Sequence, residues 1–171
     1  NGLYTSIIEH NRRLPSQILN ELNNFVYRTL NDSHSDVQMH DGMDITVVSY
    51  NTKNRELTYS GANNPLYIVR SDEVVIIKPD KFAICSFVGD EKKFTDNQIQ
   101  LQKNDIVCMF SDGYADQFGG ERNKKFMKAN FRKMIVEVKE LSMDQQLEII
   151  TDRFDQWKRD RPQIDDVLVF G

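Results

Sequence analysis

Acidic residues stand beside two apolar runs of the sequence, at the points where strands would end or begin. Asp112 follows the run at residues 106–110 (IVCMF), and Asp165 and Asp166 precede the run at residues 167–170 (VLVF). Carboxylates at the ends of buried strands are typical ligands of hard cations such as Mg²⁺ and Mn²⁺. Because a pair of such ions lowers the pKa of a bound water and holds phosphoryl oxygens in line, the pattern indicates metal-assisted hydrolysis of a phosphoester.

Gly113, directly after Asp112, is expected to permit a sharp turn through a positive φ. Two predicted helices separate Asp112 from Asp165 and return the chain to the sheet. If the two strands are neighbours, both carboxylates emerge at the same edge. A second interpretation is equally open, since Asp and Gly are common in turns beside strands and need bind nothing there.

The spacing of apolar residues predicts the elements that would position these carboxylates. Intervals of three and four residues predict helices over residues 15–30, 126–138 and 142–157, and Ser142 with Gln145 forms a capping box for the last. Alternating or continuous apolar runs predict strands at residues 43–50, 56–60, 66–70, 73–77, 98–102, 106–110 and 164–170. The order of these elements predicts an α+β fold in which helices flank an antiparallel β-sandwich.

Length and composition favour one globular domain over residues 1–171, with 39% hydrophobic and 28% charged residues. The net charge of -4 argues against a nucleic-acid partner. The basic group of Lys124, Lys125 and Lys128 is interrupted by apolar residues, which favours a solvated helix face. We expect a cytoplasmic protein, because there is no signal peptide and no apolar stretch of about 18 residues. We also expect a piece of a longer polypeptide, since the sequence begins at Asn1 without a Met.

Several short motifs occur in the order found in the metal-dependent type-2C serine/threonine protein phosphatases (PPM). They are FSDGYAD at residues 110–116, FGGER at 118–122 and DDVLV at 165–169, with further matches of MDIT at 43–46 and SGANNP at 60–65. From about residue 15 onward, the sequence resembles the bacterial SpoIIE-like branch of this family. The resemblance implies an antiparallel β-sandwich flanked by helices, with a site for two Mn²⁺ or Mg²⁺ ions at one end.

The resemblance also assigns roles to single residues. Asp112 and Asp165 match the family's catalytic metal ligands, and Asp166 stands where the closing motif often has Asn. Gly113 belongs to the same motif as Asp112, and Asp116 matches an acidic position near the site. The implied reaction is attack of a metal-bound hydroxide on phosphoserine or phosphothreonine. The implied substrate is a phosphoprotein of the anti-sigma-antagonist type, and the implied setting is a bacterial signalling protein with an upstream sensory or helical-repeat region.

The sequence also departs from the family pattern. The family's first motif, an aspartate followed closely by Gly-His-Gly, has no counterpart in these residues. We therefore expect the C-terminal larger portion of a phosphatase domain, without its N-terminal strands and with weak or no turnover of its own. A sheet edge left open in this way favours pairing in a homodimer. The alternative is a non-catalytic regulatory or interaction module with a degenerate or incomplete metal site, because Leu168, Asn64 and Cys85 replace the usual Thr, His and Gly.

Overall fold

The computed structural model describes residues 14–31, 42–86 and 92–171. The helices are α1 (Pro15–Asn31), α2 (Gly113–Asp116), α3 (Lys128–Glu137) and α4 (Met143–Lys158). The strands are β1 (Ile45–Asn51), β2 (Glu56–Ala62), β3 (Leu66–Arg70), β4 (Glu73–Ile77), β5 (Asn97–Gln100), β6 (Ile106–Phe110), β7 (Phe118–Gly119), β8 (Lys124–Lys125) and β9 (Val169–Phe170). Among the described residues, no helix combines the length and apolar character needed to cross a membrane.

The chain divides into two compact units. The first falls within Asn1–Leu66 and Ile77–Lys103, and the second within Tyr67–Ile76 and Asn104–Gly171. The first contains a three-stranded sheet in the order β1-β2-β5. The second contains a four-stranded sheet in the order β4-β3-β6-β9 and the small β7-β8 pair. The prediction of an α+β fold with antiparallel sheets is confirmed.

In the first unit, α1 packs its apolar face on the three-stranded sheet. Leu19 is fully buried in a cluster with Ala62, Ile84 and Phe94. The start of α1 is capped from a distant part of the chain, because the Asp96 carboxylate accepts hydrogen bonds from the backbone N–H of Ser16 at 2.8 Å and from its hydroxyl at 2.6 Å. This satisfies N–H groups that a helix end leaves unpaired and suits the positive end of the helix dipole.

In the second unit, α3 and α4 supply the apolar side chains that cover the four-stranded sheet. Phe131 of α3 and Phe154 of α4 are buried in one cluster with Tyr67 and Phe110 of the strands. At the other end of the sheet, Arg70 pairs with Asp105 at 2.6 Å, and the Asp105 side chain is 2% exposed. The hydrogen bond to that carboxylate raises the pKa of the Arg70 guanidinium.

The structure corrects two predictions of secondary structure. The last strand comprises only Val169–Phe170, and residues 164–168 are irregular. The Asp165 carboxylate accepts a hydrogen bond from the backbone N–H of Asp166, a local bond of the kind that competes with a strand ladder. The basic group does not share a helix face, because Lys124 and Lys125 form β8, paired with β7, and only Lys128 begins α3. Predictions for residues 1–13 and 32–41 lie outside the described residues.

Candidate active site

The strands that flank the predicted ligands are direct neighbours. β6 and β9 pair in antiparallel register, with Met109 opposite Phe170 and Phe110 opposite Val169. The end of β6 and the beginning of β9 therefore lie at the same edge of the sheet, as an antiparallel pair requires. Asp112 leaves one strand at this edge and residues 165–166 approach the other there, with all three carboxylate residues exposed to solvent.

Ser111 continues the contact between the two segments beyond the end of the ladder. Its backbone N–H donates to the carbonyl of Leu168 at 3.0 Å. Its hydroxyl donates to the carbonyl of Asp166 at 2.7 Å and accepts from the N–H of Leu168 at 2.9 Å. One small side chain thus uses both its donor and its acceptor on the irregular segment that carries Asp165 and Asp166.

Gly113 brings the two segments into backbone contact. A Cβ at this position would overlap the carbonyl oxygen of Asp166 and lie 3.0 Å from the Asp166 carbonyl carbon and 3.3 Å from the Asp165 oxygen. The prediction of a positive φ is wrong, because Gly113 is the first residue of α2 and has no positive φ. Glycine is needed here for close approach of one backbone to another.

Asp116 lies one helical turn after Asp112, and its N–H donates to the Asp112 carbonyl at 2.9 Å. Its carboxylate accepts from the ammonium of Lys125 at 2.9 Å, with side chains 37% and 43% exposed respectively. The same ammonium lies 6.0 Å from the ring centre of Phe118. Asp116 is therefore one helical turn from Asp112, and its carboxylate already has a cationic partner.

Gln117 is a residue of this region that sequence reasoning missed. It follows Asp116, and its fully buried side-chain amide donates to the carbonyl oxygens of Phe118 and Pro162, both at 3.0 Å. Pro162 lies just before the segment that carries Asp165. Nothing in the sequence around Gln117 indicates a role for it. Ser111, in contrast, belongs to the Ser-Asp-Gly triplet, which points to this region.

The SGANNP motif belongs to the first unit and forms a tight turn there. The carbonyl of Asn64 accepts from the hydroxyls of Tyr59 at 2.7 Å and Thr46 at 3.2 Å. The side-chain amide of Asn63 donates to the Asp44 carboxylate at 3.0 Å. Burial, with a contribution from the Asp80 charge, raises the pKa of the Tyr59 phenol well above its ordinary value, so its hydroxyl remains a donor.

The donors at the edge fit a hard divalent cation in kind but not in number. They are carboxylate oxygens on backbone that is held in place, which Mg²⁺ and Mn²⁺ prefer. Within the described parts of the chain, however, no group of three or more His, Cys, Asp or Glu side chains is close enough together to hold a metal ion. By themselves, the described residues do not make up a complete ligand set.

Comparison with known proteins agrees with the motifs. The family model of stage II sporulation protein E (SpoIIE) matches residues 2–171. The chain belongs to the SpoIIE family. The predicted resemblance to the SpoIIE-like branch of the PPM phosphatases is thereby confirmed. No curated protein matches the chain.

Solved structures show that this SpoIIE-family chain has the PP2C phosphatase-domain fold. The SiaA-PP2C domain of Pseudomonas aeruginosa is similar, with a TM-score of 0.85 and 23% identity over 98% of this chain. The chain spans 64% of the length of that SiaA chain. The phosphatase domain of the cell fate determinant SpoIIE from Bacillus subtilis gives a TM-score of 0.52 and 15% identity, covering 92% of this chain and 72% of that one. The RsbU and RsbW domains of Rv1364c from Mycobacterium tuberculosis give a TM-score of 0.66 and 16% identity, covering 98% of this chain and 43% of that one.

Proposed function

We propose that this chain is the C-terminal larger portion of a metal-dependent serine/threonine phosphoprotein phosphatase domain. The observation that carries the proposal is the contact of Ser111 and Gly113 with the backbone of residues 165–168, in a chain of the SpoIIE family. This contact holds Asp112 and Asp165 on backbone segments that touch, which is what a shared cation requires.

In this proposal the carboxylates of Asp112 and Asp165 hold Mn²⁺ or Mg²⁺, and Asp166 contributes at the same edge. A bound cation of this kind supplies a water of lowered pKa and neutralises charge on phosphoryl oxygens. The residues of this chain place the carboxylates. Ser111 holds the segment that carries Asp165, while Lys125 keeps the carboxylate of Asp116 in an ion pair.

The proposed substrate is a phosphoprotein, of the anti-sigma-antagonist type, within a bacterial signalling pathway. Support comes from the match to Rv1364c, whose solved structure comprises RsbU and RsbW domains. A region upstream of this chain, sensory or built of helical repeats, would set the activity. The domain itself would then be the output of a regulated protein.

Two observations favour a second candidate function. The sequence has no aspartate followed by Gly-His-Gly, and the described residues contain no cluster of three metal-binding side chains. These facts fit a regulatory or interaction module that keeps the phosphatase-domain fold without turnover. The two candidates differ in one property, which is catalysis that depends on Asp112.

Hydrolysis of an aryl phosphate across a Mn²⁺ titration separates them. The full-length protein is compared with Asp112→Asn and with Asp72→Asn, the same change at a carboxylate 88% exposed in its ion pair with Lys139. We expect turnover that requires Mn²⁺, falls more than about 100-fold in Asp112→Asn and persists in Asp72→Asn. Absence of turnover at every Mn²⁺ concentration would favour the non-catalytic module, and equal turnover in the wild type and Asp112→Asn would contradict the role proposed for Asp112.

A further inference from the structure

Residues 163–168, here called the carboxylate loop, carry two exposed acidic side chains without regular secondary structure. An exposed irregular segment is ordered only as far as its contacts hold it. Position matters here, because a cation needs its ligands within a few tenths of an ångström of an ideal distance. Within the loop, the Gln163 side chain donates to the carbonyl of Asp165 at 2.8 Å. From outside the loop, two side chains of the described residues hold the loop or the residue just before it. They flank the segment Asp112 to Asp116, because Ser111 comes directly before Asp112 and Gln117 directly after Asp116.

Ser111 holds the C-terminal part of the carboxylate loop. Its hydroxyl bonds both the carbonyl of Asp166 and the N–H of Leu168, at 2.7 and 2.9 Å. On the N-terminal side of Val169 the β6–β9 ladder ends, and the Ser111 side chain adds two bonds to the one that its backbone N–H makes to Leu168. Removing the hydroxyl would leave the carbonyl of Asp166 without this donor.

Gln117 holds the entrance to the carboxylate loop. Its amide nitrogen donates to the carbonyl of Pro162 at 3.0 Å, 45 residues ahead in the chain, and to the carbonyl of Phe118 at 3.0 Å. Two acceptor oxygens face this nitrogen, which fixes the orientation of the amide, because the flipped group would place oxygen against oxygen. The residue itself cannot shift easily, since its own carbonyl accepts from the backbone N–H of Phe126 at 3.0 Å.

Packing alone does not account for an amide at position 117. The side chain is 0% exposed, and its Oε1 has no hydrogen-bond partner among the described residues. A buried oxygen without a partner lowers stability, and Met would fill a similar volume without that penalty. The two donor bonds are what the amide adds, and one of them reaches the residue just before the carboxylate loop.

We propose that Ser111 and Gln117 form a two-point clamp that sets the position of Asp165 relative to Asp112 and so sets the affinity of the edge for a divalent cation. Both are positioning residues, because they act through the backbone of the carboxylate loop. The inference rests on the proposed function, since it takes Asp112 and Asp165 as the ligands.

The test measures Mn²⁺ binding to the full-length protein through the electron paramagnetic resonance signal of free Mn²⁺, which needs no turnover. Ser111→Val removes the hydroxyl, while Ser111→Thr adds the same methyl group and keeps it. Should Ser111→Val fail to fold, Ser111→Ala replaces it.

Gln117→Met removes the amide at constant length. Its control is Trp157→Phe, which removes a hydrogen bond to the same residue but leaves the bond to Pro162. Thermal unfolding without metal records the structural cost of each change.

We expect the dissociation constant of Mn²⁺ to rise about tenfold in Ser111→Val and in Gln117→Met, and to stay within about twofold of the wild type in Ser111→Thr and Trp157→Phe. The clamp is overturned if Ser111→Val and Gln117→Met bind Mn²⁺ like the wild type. It is also overturned if Trp157→Phe loses as much affinity as Gln117→Met, because the effect would then follow stability.

Asp112→Asn distinguishes failure of the clamp from failure of the proposed function. If the wild type binds no Mn²⁺, or Asp112→Asn binds it equally well, the proposed function and the clamp both fall. If Asp112→Asn loses Mn²⁺ while the clamp variants keep it, only the clamp falls.

Discussion

Gly113 and Tyr114 are neighbours in the chain but belong to regions of the second unit that are held together by different forces. Tyr114 is 1% exposed, and its ring lies 5.0 to 5.3 Å from those of Phe126, Phe131 and Phe154. Gly113 lies against the backbone of Asp166, at an edge where the acidic side chains are exposed. We call the first region the aromatic core and the second the carboxylate edge.

The two regions should respond differently to mutation. Burial of apolar area stabilises the aromatic core, and this force has no direction and acts on the whole unit. The carboxylate edge buries little, and its order comes from a few directed hydrogen bonds and one close backbone approach. Changes in the core should therefore appear in the free energy of unfolding, and changes at the edge in the affinity for Mn²⁺.

Phe131→Ala should have the largest effect on stability. Phe131 is fully buried and lies 4.9 Å, ring centre to ring centre, from Phe110. Loss of its burial and the cavity left behind should lower the free energy of unfolding by about 3–5 kcal/mol, measured by urea titration. Mn²⁺ affinity of the protein that remains folded should not change. A loss of affinity as large as that of Asp112→Asn would show that core and edge are not separable.

Gly113→Ala adds a single carbon atom, and it should lower the Mn²⁺ affinity of the carboxylate edge strongly. The new Cβ would overlap the Asp166 carbonyl oxygen, which is backbone and cannot rotate away. We expect about 2 kcal/mol of destabilisation from this overlap, with Mn²⁺ affinity lowered at least about tenfold. Gly171→Ala is the control, because its Cβ would meet nothing nearer than 3.9 Å. Wild-type Mn²⁺ binding by Gly113→Ala would contradict the close approach.

Tyr114→Phe, one residue after Gly113, should lower stability without changing Mn²⁺ affinity. The phenol donates to the carbonyl of Ile150 at 2.9 Å, and burial raises its pKa well above the ordinary value. Losing this buried bond should lower the free energy of unfolding by about 1 kcal/mol. Mn²⁺ affinity, measured by the same resonance titration, should equal that of the wild type. A change in the Mn²⁺ affinity of Tyr114→Phe would show that the aromatic core and the carboxylate edge do not respond separately.

Cys108 should make the stability of the aromatic core depend on pH. Burial raises the pKa of its thiol from 9.0 to about 12. As pH rises, the thiol loses its proton in the unfolded chain before it does so in the folded protein. The stabilising contribution of the protonated thiol is therefore complete below pH 9 and is lost as pH rises toward 12. The free energy of unfolding should fall by about 1 kcal/mol between pH 7 and pH 9.5 because of this thiol, and Cys108→Val should not show this fall. Equal pH dependence of stability in the wild type and in Cys108→Val would contradict the raised pKa of Cys108.

The same division explains what could be predicted from the sequence. The apolar stripe from Phe131 to Val138 marks buried positions, because burial repeats with the helical period. The apolar runs with acidic residues at their ends place the carboxylates at one edge only if β6 and β9 are neighbours, and the register shows that they are.

Features that depend on particular hydrogen bonds were predicted poorly. Gly113 was singled out for a positive φ, whereas the structure uses it for contact with Asp166. The strand expected over residues 164–168 is irregular, since Ser111 and Asp165 supply local partners for its backbone. Gln117 had no signal, because its partner Pro162 is close only in the folded chain. The metal roles of Asp112, Asp165 and Asp166 remain predictions.

The most direct test of the central claim is a crystal structure of the full-length protein grown with Mn²⁺, with anomalous diffraction recorded at the manganese edge. The account predicts an anomalous peak at the carboxylate edge, bonded to Asp112 and Asp165 at about 2.0–2.2 Å and absent in Asp112→Asn crystals. Crystals of the wild type with no peak at this edge, or with manganese bound only elsewhere, would contradict it.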